Sequence, residues 1–380
     1  MMKQLKTIKI ILWPLLLFGW TMAFATVLPE DRADVLYHRF DGGGVTVSGP
    51  SILVRKKVLD SVSVSANYYV DMVSSASIDV QTTASAYTEE RTQYSVGVDY
   101  LHSKTVTSLN YTNSSESDYE ANTLSFGVSQ DFFGDLTTLS IGYSQGDDTV
   151  MKNGQPDFKK PAKRQNYRLG LTQIITRSFL MSLNSETITD NGFLNNPYRS
   201  VRFLDPSVPL GYSFQQEIYP ETKTSTAVSL LGKYFLPYRA AVSAEYRYYS
   251  DTWGVKASHY KLGYTQPIGD YFTVDLSYRD YNQNHGDFYS DLFPFENAQN
   301  FLARDKELST YRSQSVGAGV TWDFKMNFIG IEKGSLNLFI NYFQFQFDDF
   351  RDIRVIDTPG TEPFYKFNAM VTRAYVSFFY

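Results

Sequence analysis

The 380-residue chain carries a formal charge of −5, has no cysteine and is 16% aromatic, with 29 Tyr and 28 Phe. The acidic excess argues against nucleic acid as a partner, because a backbone-binding protein needs a basic field, and the lack of cysteine excludes disulfides, thiolate metal sites and a cysteine nucleophile. A mean hydropathy of −0.29 is low for a soluble core so rich in aromatics, whereas a lipid-facing sheet around a wet interior needs half of its strand positions polar.

The first feature in chain order is a leader. Lys3, Lys6 and Lys9 precede the uncharged run 10–25, and Ala23-Phe24-Ala25 supplies a small-x-small cleavage pattern. The run is shorter than the ~20 apolar residues of a spanning helix, and Pro14 and Gly19 interrupt it. Residues 1–25 therefore read as a secretory signal peptide and 26–380 as one domain. Losing three lysines moves the formal charge from −5 to −8.

Beyond the leader, side chains alternate with the period of a strand, successive residues facing opposite sides. In 61–72, Val62, Val64, Ala66, Tyr68, Val70 and Met72 face one way, and Ser61, Ser63, Ser65, Asn67, Tyr69 and Asp71 face the other. The split recurs in 91–100, 105–112, 121–132, 136–145, 164–174, 179–188, 224–235, 239–249, 255–266, 271–281, 313–324 and 335–347. Runs of roughly 8–13 residues suit tilted transmembrane strands. A terminal strand of Met370, Thr372, Ala374, Val376, Phe378 and Tyr380 closes on an aromatic, which makes Phe378 and Tyr380 the expected signal for barrel-assembly machinery.

Residues 34–57 leave the strand count open. If 34–40 ascends, Gly42-Gly43-Gly44 turns and 45–57 descends, the count is sixteen; if the segment folds inward as a plug, it is fourteen. Gly49-Pro50 weakens a strand there, because Pro cannot donate to a ladder. The favoured expectation is an all-β, antiparallel up-and-down barrel of about sixteen strands in a Gram-negative outer membrane. Short turns such as Gly134-Asp135 and Pro267-Ile268-Gly269-Asp270 alternate with longer loops at 73–90, 148–163, 190–223 and 284–308, as periplasmic turns and extracellular loops do. Tyr68, Tyr111, Tyr143, Tyr246, Tyr248, Tyr278 and Tyr342 then mark one membrane interface, and Phe132, Tyr234, Trp322 and Phe324 the other.

With apolar faces in lipid, the register sends Arg91, Arg164, Arg168, Lys233, Arg239, Arg247, Lys261, Arg279 and Arg373 inward against Asp71, Asp99, Glu186, Glu245, Asp275 and Asp323. The densest set lies on three consecutive strands: Glu245 and Arg247, His259 and Lys261, Asp275 and Arg279. It reads either as a charged wall giving a pore mild anion preference or as a paired network that holds the interior. Arg199 and Arg202, in the loop 190–223, are candidate constriction residues. The four histidines show no ligand spacing, His285-Gly286-Asp287 with Asp291 being a weak metal signal, so the expectation is no metal, no cofactor and no enzyme.

Three stretches carry a family resemblance: Asp34-Val-Leu-Tyr-His-Arg-Phe-Asp-Gly-Gly-Gly-Val-Thr-Val-Ser-Gly-Pro50, Ala66-Asn-Tyr-Tyr-Val-Asp-Met-Val-Ser-Ser-Ala-Ser-Ile-Asp-Val80 and Gly192-Phe-Leu-Asn-Asn-Pro-Tyr-Arg199. The chain resembles, over nearly its whole mature length, uncharacterised bacterial proteins numbered thirty-five seventy among the domains of unknown function. The resemblance implies an outer-membrane barrel, with a flavin-attaching enzyme and thioredoxin-like and lipoprotein partners as company; it transfers no functional residue. Outer-membrane lipid, assembly machinery, small solutes and a periplasmic or lipoprotein partner are thus the expected contacts. The expected function is a porin-like channel for small hydrophilic solutes, its rival a non-conducting barrel that scaffolds or exports a partner.

Overall fold

The computed structural model describes residues 27–75, 87–328, 330–355 and 357–380. The segment read as a signal peptide lies outside them, as does most of the expected loop 73–90. The strands are β1 (Arg32–Gly42), β2 (Val45–Leu59), β3 (Val62–Ser75), β4 (Tyr87–His102), β5 (Thr105–Glu116), β6 (Tyr119–Phe132), β7 (Thr137–Lys152), β8 (Gln155–Thr176), β9 (Phe179–Gly192), β10 (Ser200–Leu204), β11 (Tyr212–Gln216), β12 (Thr222–Phe235), β13 (Ala241–Asp251), β14 (Lys256–Ile268), β15 (Phe272–Gln283), β16 (Tyr311–Phe328), β17 (Ile331–Arg351) and β18 (Phe364–Phe379). Sixteen close into one antiparallel barrel, β1 pairing with β18, while β10 and β11 form a separate hairpin.

The N-terminal segment is wall, not plug, so sixteen strands hold and fourteen do not. Pro50 is accommodated by a gap in one ladder: β2 and β3 pair at Ser48–Met72 and again at Ser51–Tyr69, with neither Gly49 nor Pro50 paired between. The strands come so close there that a Cβ on Gly49 would sit 1.8 Å from the Val70 carbonyl oxygen. The expected loop 148–163 is mostly hairpin, because β7 runs on to Lys152 and β8 starts at Gln155.

Alternation turns this barrel inside out relative to a soluble one. Val35, Ile52, Val64, Val96, Leu109, Leu124, Ile141, Leu169, Leu230, Leu262, Leu276, Val316 and Leu338 are all exposed on the outer surface. An apolar exterior around a polar interior is the arrangement a transmembrane barrel requires. At the end away from the chain termini, tyrosines rim this belt and reach polar neighbours on the same face, as in Tyr143 to Gln145, Tyr167 to Gln165 and Tyr278 to Asp280. At the terminal end the rim is Phe132, Phe179, Tyr234, Phe272, Trp322 and Phe324, with ring contacts between Phe179 and Tyr234 and between Phe272 and Trp322. Turns here are tight, and left-handed residues such as Gly134 (φ 69°) and Gly269 (φ 62°) make them.

Past the tyrosine rim the polarity of some strands changes phase. On β17 the outward residues Leu336, Leu338, Ile340 and Tyr342 give way to outward Gln344 and Gln346, with Phe343, Phe345 and Phe347 turned inward. On β1 and β2, outward Val35, Tyr37, Ile52 and Val54 give way to inward Phe40, Val45 and Val47. The wall extends beyond the lipid, its outer face wet and its inner face packed: Phe40, Val45, Val47, Val73, Phe343, Ala369 and Val371 form one buried cluster.

Candidate functional site

Strand parity alone places the lumen. Inward positions of β4 to β7 carry many short uncharged side chains, among them Ser95, Ser108, Asn110, Thr112, Ser125, Ser140 and Ser144, beside the charged Arg91 and Asp99 of β4. Charge gathers on β8 to β15. Glu186 on β9 accepts from Asn166 (3.0 Å), Arg168 (3.3 Å) and Arg247 (3.1 Å). Arg247 reaches it across β12, where the intervening inward residues are only Ala227 and Ser229. Arg164 pairs with Asp190 at 2.5 Å.

The six expected lumen residues all face inward, but the structure divides them. Glu245 and His259 pair at 2.9 Å, His259 being buried, while Arg247 belongs to the Glu186 set. Asp275 accepts from Thr265 at 2.6 Å. Lys261 and Arg279 are direct cross-strand partners, a like-charge juxtaposition that destabilises unless anions are near; Glu245 flanks Lys261 from β13. The Arg279 guanidinium lies 4.9 Å from the Tyr281 ring centre. Arg239 is not a lumen residue. It occupies a left-handed turn position (φ 68°) before β13, largely exposed beside Asp270, because the strand starts two residues later than its sequence alternation implies.

Arg199 and Arg202 do not line an open constriction. They hold together a cap built from the β9–β12, β15–β16 and β17–β18 connections. Arg202, fully buried on β10, donates twice to Glu362, once at 3.1 Å, and to Asp291 at 2.5 Å. Asp291 also pairs with Arg304 at 2.9 Å and accepts from the Arg351 backbone N–H at 3.1 Å. Buried Arg199 pairs with Asp305. Burial favours the neutral form of Glu362, but hydrogen bonds from Arg202 and its positive charge hold the carboxyl below the usual glutamate range. Burial likewise works against the Arg202 cation, and the hydrogen bond with Glu362 and the charge of Asp291 more than offset it, raising its pKa.

Sequence reading missed these partners because a loop carboxylate shows no period. Asp291, which with His285 and Asp287 gives only a weak metal signal in sequence, is the centre of the ion-pair cluster. Backbone bonds join the loops as well: Leu204 donates to Phe293 (2.9 Å), Phe293 to Arg202 (2.9 Å), Ile218 to Leu302 (2.9 Å) and Leu302 to Ile218 (2.8 Å). Apolar packing completes the cap. Tyr219, Trp253, Phe288, Tyr289 and Leu308 pack on Phe347, Phe350 and Tyr365 of the wall and its rim, and Val201, Phe203, Phe293 and Leu302 form a second cluster.

The cap crosses the mouth. Its Tyr198 hydroxyl accepts from the Asn153 N–H at 2.7 Å, at the β7–β8 turn, and the residue interacts with Asp118 at the β5–β6 turn. Glu362 lies between β17 and β18, and around the closed order the β5–β6 turn is six strands away one way and ten the other. The cap is therefore tied to nearly opposite sides of the barrel. Near this rim, Glu89, Glu116 and Asp118 bring ligand-type oxygens within 4.8 Å of one another. Phe378 and Tyr380 lie at the terminal end, where Phe378 pairs with Ala33 and Gly334, and Tyr380 donates to the Arg55 carbonyl at 3.0 Å beneath Lys56.

A family model described as "Protein of unknown function (DUF3570)" matches residues 79–353. The Gly192–Arg199 stretch of the resemblance falls inside that span, and Asp34–Pro50 outside it. No curated protein matches in sequence. Among solved structures, a bacterial polysaccharide outer-membrane secretin is similar over 93% of this chain and 99% of its own, at 8% identity and TM-score 0.49. A loop-deletion mutant of OmpT, an outer-membrane protein of Vibrio cholerae, is similar over 90% and 97%, at 9% identity and TM-score 0.41. The siderophore receptor PirA of Pseudomonas aeruginosa is similar over 92% of this chain but only 63% of its own, at 11% identity and TM-score 0.43.

Proposed function

This chain belongs to the family described as "Protein of unknown function (DUF3570)", and because that description names no activity we propose one from the barrel itself: an outer-membrane channel for small hydrophilic solutes, mildly anion-preferring, whose mouth is narrowed by its cap. The carrying observation is the closed sixteen-stranded wall, apolar outside and hydrophilic inside. Barrels of sixteen or more strands are wide enough to leave an aqueous passage. Lipid is the partner of the outer face, and the assembly machinery would read the strand carrying Phe378 and Tyr380. Anion preference rests on Lys261, Arg279 and Arg373, three inward cations in the sector where Glu245 and Asp275 are the facing carboxylates, beside the paired Arg32 and Asp34.

One observation favours the rival, a non-conducting barrel serving a partner: the cap is tied to nearly opposite sides of the mouth, by buried ion pairs of Arg202 at one and by hydrogen bonds of Tyr198 at the other. Single-channel conductance of the folded, heat-modifiable protein in a planar bilayer, under a salt gradient, separates the two. The channel reading expects steady conductance with anion selectivity that falls in Arg279→Ala and Arg373→Ala. A folded barrel that stays silent even with the cap loosened by Glu362→Gln would sink it and leave the scaffold.

A further inference from the structure

The lumen contains something a plain pore does not need, a flat aromatic floor. Phe339 and Tyr375 point inward from β17 and β18, half-exposed, with parallel rings (8°) and centroids 6.2 Å apart. The floor is built by glycine. On β16, Gly319 is the cross-strand partner of Phe339, and a Cβ there would lie 2.3 Å from the ring. Gly317 receives the Asn341 amide in the same way, its Cβ falling 2.2 Å from Oδ1. Both β17 side chains thus lie along the wall instead of projecting across the passage, which keeps the lumen open and presents a ring face to water.

Polar groups bracket that face. Arg373 is the partner of Phe339, with its guanidinium 5.6 Å from the ring centre. Asp275 shares the row through Gly319. A broad apolar face ringed by planar donors and acceptors matches a sugar ring, whose axial C–H groups form an apolar face and whose hydroxyls need both donor and acceptor at the edge. Cations outnumber carboxylates here by one, since Arg32, Lys261, Arg279 and Arg373 face Asp34, Glu245 and Asp275, and this complementarity selects a sugar that carries its own acid.

We propose that the lumen holds a binding site for acidic saccharides, the sugar ring lying on Phe339 and Tyr375 and its carboxylate held by Arg373. The inference rests on the hydrophilic-lumen reading and names its ligand class. Titration calorimetry of the folded full-length barrel in detergent tests it, with trigalacturonate, neutral maltotriose and benzoate as probes. Trigalacturonate should bind, at least tenfold tighter than maltotriose. Phe339→Leu, which keeps apolar volume on the wall but removes the ring, should weaken binding at least tenfold. Arg373→Gln should bring the two saccharides to near parity.

Heat-modifiability checks that each variant is folded, and Tyr375→Leu gives a second readout if Phe339→Leu is not. Absence of trigalacturonate binding at millimolar concentration, equal affinity for maltotriose in the parent protein, or affinity unchanged by loss of either ring would overturn the proposal. So would benzoate binding while both saccharides stay silent. Calorimetry reads binding from either end of the barrel whether or not it conducts. A conducting barrel that ignores sugars therefore overturns this site alone, and a silent barrel that binds them overturns the channel alone.

Discussion

Glu362→Gln tests whether electrostatics or apolar packing keeps the cap closed. The substitution preserves shape and removes one charge facing a guanidinium that has no exposed surface. Removing one partner of a buried ion pair costs about 3–5 kcal/mol. Arg202 retains Asp291, so the low end, about 3 kcal/mol, is the expected loss, or roughly a hundredfold in the closed-to-open ratio. Hydrogen exchange at Leu204, Phe293, Ile218 and Leu302, the amides that join the cap loops, should accelerate by that factor. Amides of β5 and β6 should not change, because no cap residue supplies their ladder. Equal exchange in the two proteins would show that the clusters around Phe288 and Phe293 hold the cap unaided; faster exchange throughout the barrel would show that cap and wall are one cooperative unit.

Acid should loosen the same cap. Glu362 is held below its ordinary pKa, so its contribution is complete above about pH 4.3, the unfolded glutamate value, and is lost as pH falls through the folded one. Cap exchange should accelerate only in acid, and Glu362→Gln should largely remove that acid step; loosening as pH rises would contradict the assignment. The inside-out wall predicts that Val96→Arg, outward and mid-strand, costs about 2–4 kcal/mol in bilayer unfolding by urea, whereas Ser95→Arg next to it costs little; equal costs would refute the register. Gly49→Ala drives a methyl into the Val70 carbonyl oxygen and should cost about 3 kcal/mol, seen as a lowered temperature of the heat-modifiable shift; an unchanged temperature would mean that β2 and β3 separate freely there.

Barrel form was legible because each strand writes it locally. Two solvents on two faces impose period two, and the repeated alternation around Val96, Leu109 and Leu124 gave both the class and the face that meets lipid. The change of phase at Tyr342, from outward Leu338 and Ile340 to inward Phe343 and Phe345, was also written in the sequence. A single phase per strand does not describe it, because a strand that outgrows the bilayer exchanges its solvents. The resemblance on Gly192–Arg199 likewise pointed to the right family, and to no chemistry.

The cap and the lumen site are different in kind. Arg202 and Glu362 are 160 residues apart, and nothing local to either announces the other; Arg202 looked like a loop cation free to meet a solute. Arg247 looked like a partner for the groups on β14, yet it reaches over Ala227 and Ser229 to Glu186 because those residues are small. Phe339 became a floor because Gly319, on the neighbouring strand, leaves room for its ring. The sequence by itself determined which face of each strand meets lipid, since alternation is a property of consecutive residues. Only the closed barrel decided which inward residues meet, since pairing depends on register, and on loops folded across a mouth that no single strand encodes.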